Sequence, residues 1–188
     1  MSMRMIPNLE VFRPADVIET AECWQLALQN AKGPSVLALT RQNLPQLRSA
    51  NAPGGDMLSA KGAYRLRSAM SARKVVIVAT GSEVEIAVTV RDRLEAQGIG
   101  TDVISMPSWS RFRAQDAAYR DGLLPHDVLR VSIEAGTTFG WEAITGIAGL
   151  RFGIDSFGAS APAEVLYDHF GLTPDKITPQ IVAALSSN

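Results

Sequence analysis

The sequence has few of the residues that build disulfide frameworks or metal centres. Its 188 residues include one cysteine, Cys23, and two histidines, His126 and His169. One cysteine excludes an internal disulfide and any multi-cysteine metal site. Two histidines do not make up the four-ligand set of a structural zinc site. We interpret Cys23 as a buried, inert thiol within a helix, and both histidines as surface or capping residues.

Excess charge of one sign and long hydrophobic runs are also missing. Eighteen basic residues against nineteen acidic ones give a net charge of −1, which argues against a nucleic-acid partner. The longest apolar run, residues 75–79, is strand-sized, whereas a membrane-spanning helix needs about 20 residues. The first twelve residues lack the apolar segment of a signal peptide. We therefore expect a cytoplasmic protein that binds neither nucleic acid nor membrane.

The familiar glycine-rich and nucleophile motifs are absent as well: there is no GxGxxG, no P-loop and no GxSxG. The composition is that of a globular protein, with 46% hydrophobic and 20% charged residues. The length suits one large domain, or one domain and part of another.

The first 48 residues show the pattern of one βαβ unit. A short strand at residues 9–12 precedes Asp16, which can cap a helix with Glu19 as its capping-box partner. An apolar strand follows at residues 35–40, so the two strands should be parallel. The helical spacing predicts a buried face formed by Val17, Ala21, Trp24, Leu28 and Ala31. One βαβ unit cannot cover both faces of its sheet, so we interpret residues 1–48 as the end of a larger domain.

Residues 49–61 are small, polar and glycine-rich, and we interpret them as an interdomain linker. Residues 62–188 then alternate strands with helices, which predicts a three-layer α/β/α domain. The predicted strands are residues 63–66, 74–80, 101–106, 128–133 and 151–154. The first predicted helix begins at Ser82, with Glu85 completing a capping box, and carries Ile86, Ala87, Val90 and Leu94 on one face. Further helices are predicted at residues 114–123, at residues 162–170 and in a terminal segment opened by Thr173 and Pro174. Residues 138–150 show no clear pattern.

Two polar groups allow a functional and a structural interpretation. The helix start at Thr80-Gly81-Ser82 could bind an anion, but Glu83 in the first turn would repel a phosphate, which favours an ordinary strand-to-helix turn. Glu134 and Glu142 could form a carboxylate pair for acid–base chemistry. No histidine or metal-ligand set accompanies them, so a structural loop or a subunit contact is favoured.

Arg41 is the strongest candidate for a binding residue. It directly follows the strand predicted at residues 35–40, and the carboxyl ends of strands in open α/β sheets form the ligand crevice. Its planar guanidinium suits a phosphate. The alternative is a solvated arginine at the end of a strand.

Several motifs together resemble the transketolase family. FRPAD at residues 12–16 and TRQNLPQL at residues 40–47 are similar to the end of its pyrimidine-binding domain. The later motifs resemble its C-terminal domain in the right order: ATGSEV at residues 79–84, SMP at 105–107, EAG at 134–136 and FGASAPA at 157–163. The resemblance covers the chain from about Ile6 to the end.

The resemblance implies an enzyme of the pentose phosphate pathway that transfers a two-carbon ketol unit between sugar phosphates. It implies thiamine diphosphate and Mg²⁺ as cofactors and a homodimer with active sites between subunits. It also implies a mixed, mostly parallel five-stranded sheet in residues 62–188. Arg41 matches the family's arginine for the substrate phosphate.

The departures from the family shape the functional hypothesis. The GDG…N motif for diphosphate and metal, the cofactor-activating glutamate and the active-site histidines have no match here. The first hypothesis is therefore a C-terminal part of a transketolase that is inactive alone and serves structure and dimer assembly. The alternative is a separately encoded α/β binding or assembly subunit that docks with a cofactor-bearing chain.

Overall fold

The computed structural model describes residues 1–48 and 57–186. Residues 1–48, called here the N-terminal unit, contain a 3-10 turn at Ser2–Met5 and then β1 (Glu10–Phe12), α1 (Val17–Gln29) and β2 (Ser35–Leu37). β1 and β2 pair in parallel, with Val11 opposite Val36. The predicted βαβ unit is thus present, although β2 is shorter than expected and only half-buried.

Residues 62–186 form the C-terminal unit, a single sheet with helices on both faces. Its strands lie in the order β3-β5-β4-β6-β7, and only β3 runs antiparallel to its neighbour. This arrangement confirms the three-layer, mostly parallel five-stranded fold. The strands are β3 (Tyr64–Arg67), β4 (Arg73–Ala79), β5 (Gly100–Ser105), β6 (Leu129–Ile133) and β7 (Leu150–Phe152). The helices are α2 (Glu83–Glu95), α3 (Trp109–Arg113), α4 (Ala117–Leu123), α5 (Glu142–Thr145), α6 (Ala163–His169) and α7 (Pro174–Ser186).

Alternate residues of the central strand β4 build the two halves of the core. Val75 and Ile77 pack with α2 and α7 on one face. Val76 and Val78 pack on the other face with Trp109 and further side chains around α3, α4 and α5. Because successive side chains of a strand point to opposite faces, a strand that is apolar at every position is covered on both sides.

The predicted buried face of α1 is wrong. Val17 is 67% exposed, Trp24 52% and Leu28 80%, while Cys23 and Leu26 are buried against Phe12. The helix turns its Glu19 and Glu22 side inward, because hydrogen-bond donors of β3, β5 and the segment before β3 satisfy these carboxylates. Paired polar groups can therefore occupy the buried face.

Other local predictions also need correction. Ser82 does not cap α2 with its side chain, and its hydroxyl instead donates to Glu83, so the Ser82–Glu85 capping box is absent. α3 and α5 were not predicted, and the helix expected over residues 114–123 begins only at Ala117, with Asp116 as its N-cap. α7 begins at Pro174 as expected.

The proposed linker is only partly within the described structure. Residues 49–56 lie outside the described residues. Residues Leu58–Lys61 form a 3-10 turn, and Ser59 in it is buried against Glu22 of α1. The division at residues 48 and 62 stays a prediction.

Candidate functional site

Arg41 lies in the segment that leaves the carboxyl end of β2. The ladder continues past β2 through the amide of Ala38, which donates to the Phe12 carbonyl at 2.8 Å. A turn follows in which the Gln42 amide donates to the Thr40 hydroxyl at 3.2 Å, and that hydroxyl donates to the Gln42 side chain. Arg41 occupies the middle of this turn and is exposed. Within residues 1–48 and 57–186 the Arg41 side chain makes no hydrogen bond or ion pair, so its guanidinium group is available to bind an anion.

The far end of the same segment is held by Asp16. Its Oδ2 accepts from the amides of Leu47 and Arg48 at 3.1 and 2.9 Å. Its Oδ1 accepts from the amide of Glu19 at 2.9 Å and thereby caps α1, as the sequence predicted. The predicted reciprocal bond is shifted by one residue, since Glu19 Oε2 accepts from the amide of Ala15 rather than Asp16.

Two cavities flank this segment. One of about 280 Å³ lies between the segment and the start of α1. The other, of about 300 Å³, lies beside α6 and the loop before it. Gln42 lines both cavities, so the turn around Arg41 separates them.

A second polar cluster fills the carboxyl ends of β4 and β6. Glu134, which follows β6, accepts two hydrogen bonds from Arg4 at 2.6 and 2.8 Å and one from Arg13 at 2.9 Å. Thr80 and the Trp141 indole each add one at 3.0 Å. Burial opposes ionisation of this carboxyl, but the bonds and charges of Arg4 and Arg13 outweigh it and lower the pKa of Glu134 to about 2.

Arg13 joins this cluster to the start of α2. Its second terminal nitrogen donates to Glu83 at 2.9 Å, and Glu83 also accepts from the Ala135 amide and the Tyr167 hydroxyl. The backbone of Arg13 bonds Pro107 and Gly81, in the loops after β5 and β4. Arg13 is thus inserted between three strand ends of the C-terminal unit.

This geometry bears on the functional and structural interpretations of Glu134 and of the turn at Thr80-Gly81-Ser82. The crevice where an α/β sheet usually binds its ligand is filled here by guanidinium groups of the N-terminal unit. Glu142 is exposed, bonds the Gly140 amide and shares no partner with Glu134. Glu134 is ionised well below neutral pH and fully paired, so it has no proton to donate. These contacts favour the structural interpretation of Thr80-Gly81-Ser82 and of Glu134, which stays a prediction.

A third polar cluster joins α1 to the C-terminal sheet without a cation. Glu19 accepts from the Tyr64 hydroxyl at 2.7 Å, from the Ser105 hydroxyl at 2.5 Å and from the Ala15 amide. Burial raises the pKa of Glu19, and these hydrogen bonds oppose that rise. The cluster ties residues that lie far apart in the chain and is enclosed by protein.

The cysteine and the two histidines do not come together at one site. Cys23 is fully buried, and burial raises the pKa of its thiol, as expected for an inert cysteine. His126 and His169 are exposed. In the described parts of the chain, no three His, Cys, Asp or Glu side chains group as metal ligands. Over the same residues, no helix is long and apolar enough to cross a membrane.

The sequence predicted an exposed Arg41 after a strand, but it did not predict the bonds of Asp16 to Leu47 and Arg48 or the arginines that bind Glu134. Asp16 had a helix-cap signal, which explained only one of its two oxygens. Arg4 and Arg13 carried no signal of their own, because their partner Glu134 lies more than 120 positions away.

Comparison with known proteins agrees with these features. Residues 62–173 match the family model "Transketolase-like TK C-terminal domain", and residues 1–46 match "Transketolase, pyrimidine binding domain". A transketolase of Sinorhizobium medicae is 51% identical over 97% of this chain, which spans 26% of that protein. The chain thus spans about a quarter of the length of the curated relatives it matches.

Two solved structures extend the comparison. A Pichia stipitis transketolase, described in complex with sedoheptulose 7-phosphate, is 36% identical with a TM-score of 0.87, and the match covers 98% of this chain and 26% of that one. A protein described as a split-gene transketolase, inactive β4 tetramer, is 23% identical with a TM-score of 0.76 over 98% of this chain and 59% of that one, a likeness of fold alone. By both family models and by its relatives, this chain belongs to the transketolase family.

Proposed function

We propose that this chain works as part of a transketolase that transfers a two-carbon ketol unit between sugar phosphates. Its own contribution is twofold: Arg41 binds the substrate phosphate, and the C-terminal unit holds the N-terminal unit in place. The observation that carries the proposal is the position of Arg41. It is exposed and has no protein partner within the described residues, at the carboxyl end of a parallel strand, where a planar fork can bind phosphate oxygens.

The C-terminal unit supports this role through its contacts rather than through chemistry. Arg4 and Arg13 place positive charge against Glu134 and Glu83, and every one of these groups is paired. Such a contact fixes the end of β1, beside which β2 runs toward Arg41. The separately encoded assembly subunit is not favoured, because the relatives that match at about half identity are transketolases.

The sequence offers no motif for thiamine diphosphate and Mg²⁺. Mg²⁺ at a diphosphate is held by one or two carboxylates together with the phosphates, and the GDG…N motif that supplies such ligands in the family has no match here. We infer that other parts of the enzyme hold both cofactors. We also infer a homodimer in the cytoplasm, by analogy with the family.

Calorimetry and a ketol-transfer assay test this proposal. We expect thiamine diphosphate with Mg²⁺ to give no saturable heat with this chain alone. Ketol transfer should appear when this chain is combined with the remaining, cofactor-bearing portion of the enzyme. Saturable micromolar binding by this chain alone, or a combined sample without transfer, would contradict the proposal.

A further inference from the structure

Asp16 makes more hydrogen bonds than capping a helix requires. An N-cap needs one side-chain oxygen that accepts from the first turn, and Oδ1 of Asp16 does this for the Glu19 amide. Asp116 caps α4 in the same manner, with Oδ1 accepting from the Tyr119 amide at 2.8 Å. Of these two caps, Asp16 alone uses its second oxygen on a distant described segment, where it accepts from the amides of Leu47 and Arg48.

The Asp16 carboxylate is also well protected. Asp16 is 5% exposed, so water competes little for its oxygens. Three backbone amides from two separate segments converge on it, and hydrogen bonds to an ionised acceptor are the stronger kind. Removing the carboxylate would leave the Leu47 and Arg48 amides without this acceptor.

The segment held in this way is the one that carries Arg41. It is fixed at its start by the Ala38–Phe12 backbone bond and at its end by Asp16. Between these two anchors, the segment of residues 39–46 contains the turn in which the Gln42 amide bonds the Thr40 hydroxyl. The direction of Arg41 therefore depends on both anchors.

Neighbouring contacts make the Asp16 end a firm one. The Leu47 carbonyl accepts from Arg67 of β3 at 2.8 Å. The Arg48 guanidinium pairs with Glu22 of α1, which also accepts from the amide and hydroxyl of Ser59. The end of the segment is thus tied both to α1 and to the C-terminal unit.

We propose that Asp16 is a positioning residue for substrate binding: its Oδ2 clamps the end of the Arg41 segment and so sets where the guanidinium meets the substrate phosphate. This inference rests on the proposed function of Arg41. Misplacing a binding group by about 1 Å is enough to weaken its effect substantially. Both oxygens of Asp16 accept hydrogen bonds from backbone amides, so we assign it a positioning role rather than a phosphate-binding one.

The test uses the complete transketolase and the variant Asp16→Ser. A serine hydroxyl still accepts from the Glu19 amide as an N-cap but is too short to bond Leu47 and Arg48 as well. We expect KM for a phosphorylated donor to rise about three- to tenfold, with kcat within about twofold. With hydroxypyruvate, a donor without phosphate, both constants should stay within about twofold. The matched control Asp116→Ser should change neither donor's kinetics.

A double variant separates positioning from general damage. If Asp16 acts through Arg41, Asp16→Ser should add little to the loss caused by Arg41→Ala. Additive losses, equal losses with both donors, or an unchanged KM would each overturn the positioning role. If Asp16→Ser does not fold, Asp16→Asn serves in its place, because it keeps one acceptor for the cap and presents an amide donor to Leu47 and Arg48. If Arg41→Ala lowers activity equally with phosphorylated and unphosphorylated donors, the proposed function is wrong, and the positioning role is wrong with it.

Discussion

The guanidinium of Arg4 and the carboxylate of Glu134 form a two-bond ion pair, at 2.6 and 2.8 Å, across 130 positions of the chain. Arg4 also lies over the Trp109 ring, 5.0 Å from its centroid. The side chains of Arg4 and Glu134 are 9% and 5% exposed. The first residues of the chain are therefore held against the strand ends of the C-terminal unit.

Truncating Glu134 should destabilise this chain strongly. Glu134→Ala would leave Arg4 and Arg13 without their shared acceptor, and breaking a buried pair from one side costs about 3–5 kcal/mol. Urea unfolding followed by circular dichroism measures the free energy of unfolding. Glu142→Ala is the matched control, because Glu142 is exposed in the same region, and we expect it to cost less than about 0.5 kcal/mol. Similar values for the two variants would show that the ion pairs do not stabilise the fold.

The lowered pKa of Glu134 predicts that the folded protein loses stability in acid. The pKa of Glu134 is about 2 in the folded protein, against an ordinary value of 4.5. Between these values the unfolded chain binds more protons than the folded one, so the free energy of unfolding should rise with pH. This contribution is complete above about pH 4.5 and is lost as the pH falls toward 2.

Glu134→Gln isolates that contribution from other carboxyl groups. Urea titrations at several pH values should show a stability gap between the wild type and this variant that is wide at pH 5 to 7 and narrows below about pH 4.5. A gap that stays constant down to pH 3 would contradict the lowered pKa.

Leu26 and Leu28 test the orientation of α1. Leu26 is 3% exposed and packs near Phe12 and Cys23, whereas Leu28 is 80% exposed. Leu26→Ala should therefore cost about 2 kcal/mol or more. Leu28→Ala should stay within about 0.5 kcal/mol in this chain. If urea unfolding shows a larger loss of stability for Leu28→Ala than for Leu26→Ala, the buried face of α1 is the one that the sequence spacing predicted.

Arg41→Ala should impair only reactions of phosphorylated donors. A charge-assisted hydrogen bond contributes about 1.5–3 kcal/mol, so kcat/KM in the complete enzyme should fall roughly 10- to 100-fold, mostly through KM. Arg41→Lys should recover part of the loss, since a point charge does not reproduce the fork. Hydroxypyruvate kinetics should stay within a few-fold of the wild type.

Lys32→Ala is the control for lost positive charge. Lys32 is exposed and lies before β2, while Arg41 lies after it, so the two cations stand at opposite ends of one strand. We expect this variant to keep the wild-type kinetics with both donors. If Lys32→Ala lowers kcat/KM for phosphorylated donors as much as Arg41→Ala does, the effect reflects overall charge rather than phosphate binding.

The sequence by itself determined the order and type of most elements. The apolar residues of β4, flanked by turns, predicted a buried strand. The spacing of Ile86, Ala87, Val90 and Leu94 predicted the inner face of α2, and all of these except the partly buried Ile86 are fully buried. These features follow from local rules, because a strand covered on both faces must be apolar throughout and a covered helix face repeats every three to four residues. The place of Arg41 after a strand and the run that surrounds it predicted a phosphate-binding role, which stays a prediction.

Only the tertiary structure decided which side of α1 is buried and what fills the strand ends. The side of α1 that carries Val17, Trp24 and Leu28 is exposed. Glu19 and Glu22 face inward because Tyr64, Ser105 and Ser59 supply their hydrogen bonds. Periodicity cannot show this, since it assumes that apolar residues are the buried ones. Arg4 lies 130 positions from its partner Glu134, and Leu47 lies 31 positions from Asp16. Their contacts arise from how the two units pack, and no local pattern records that packing.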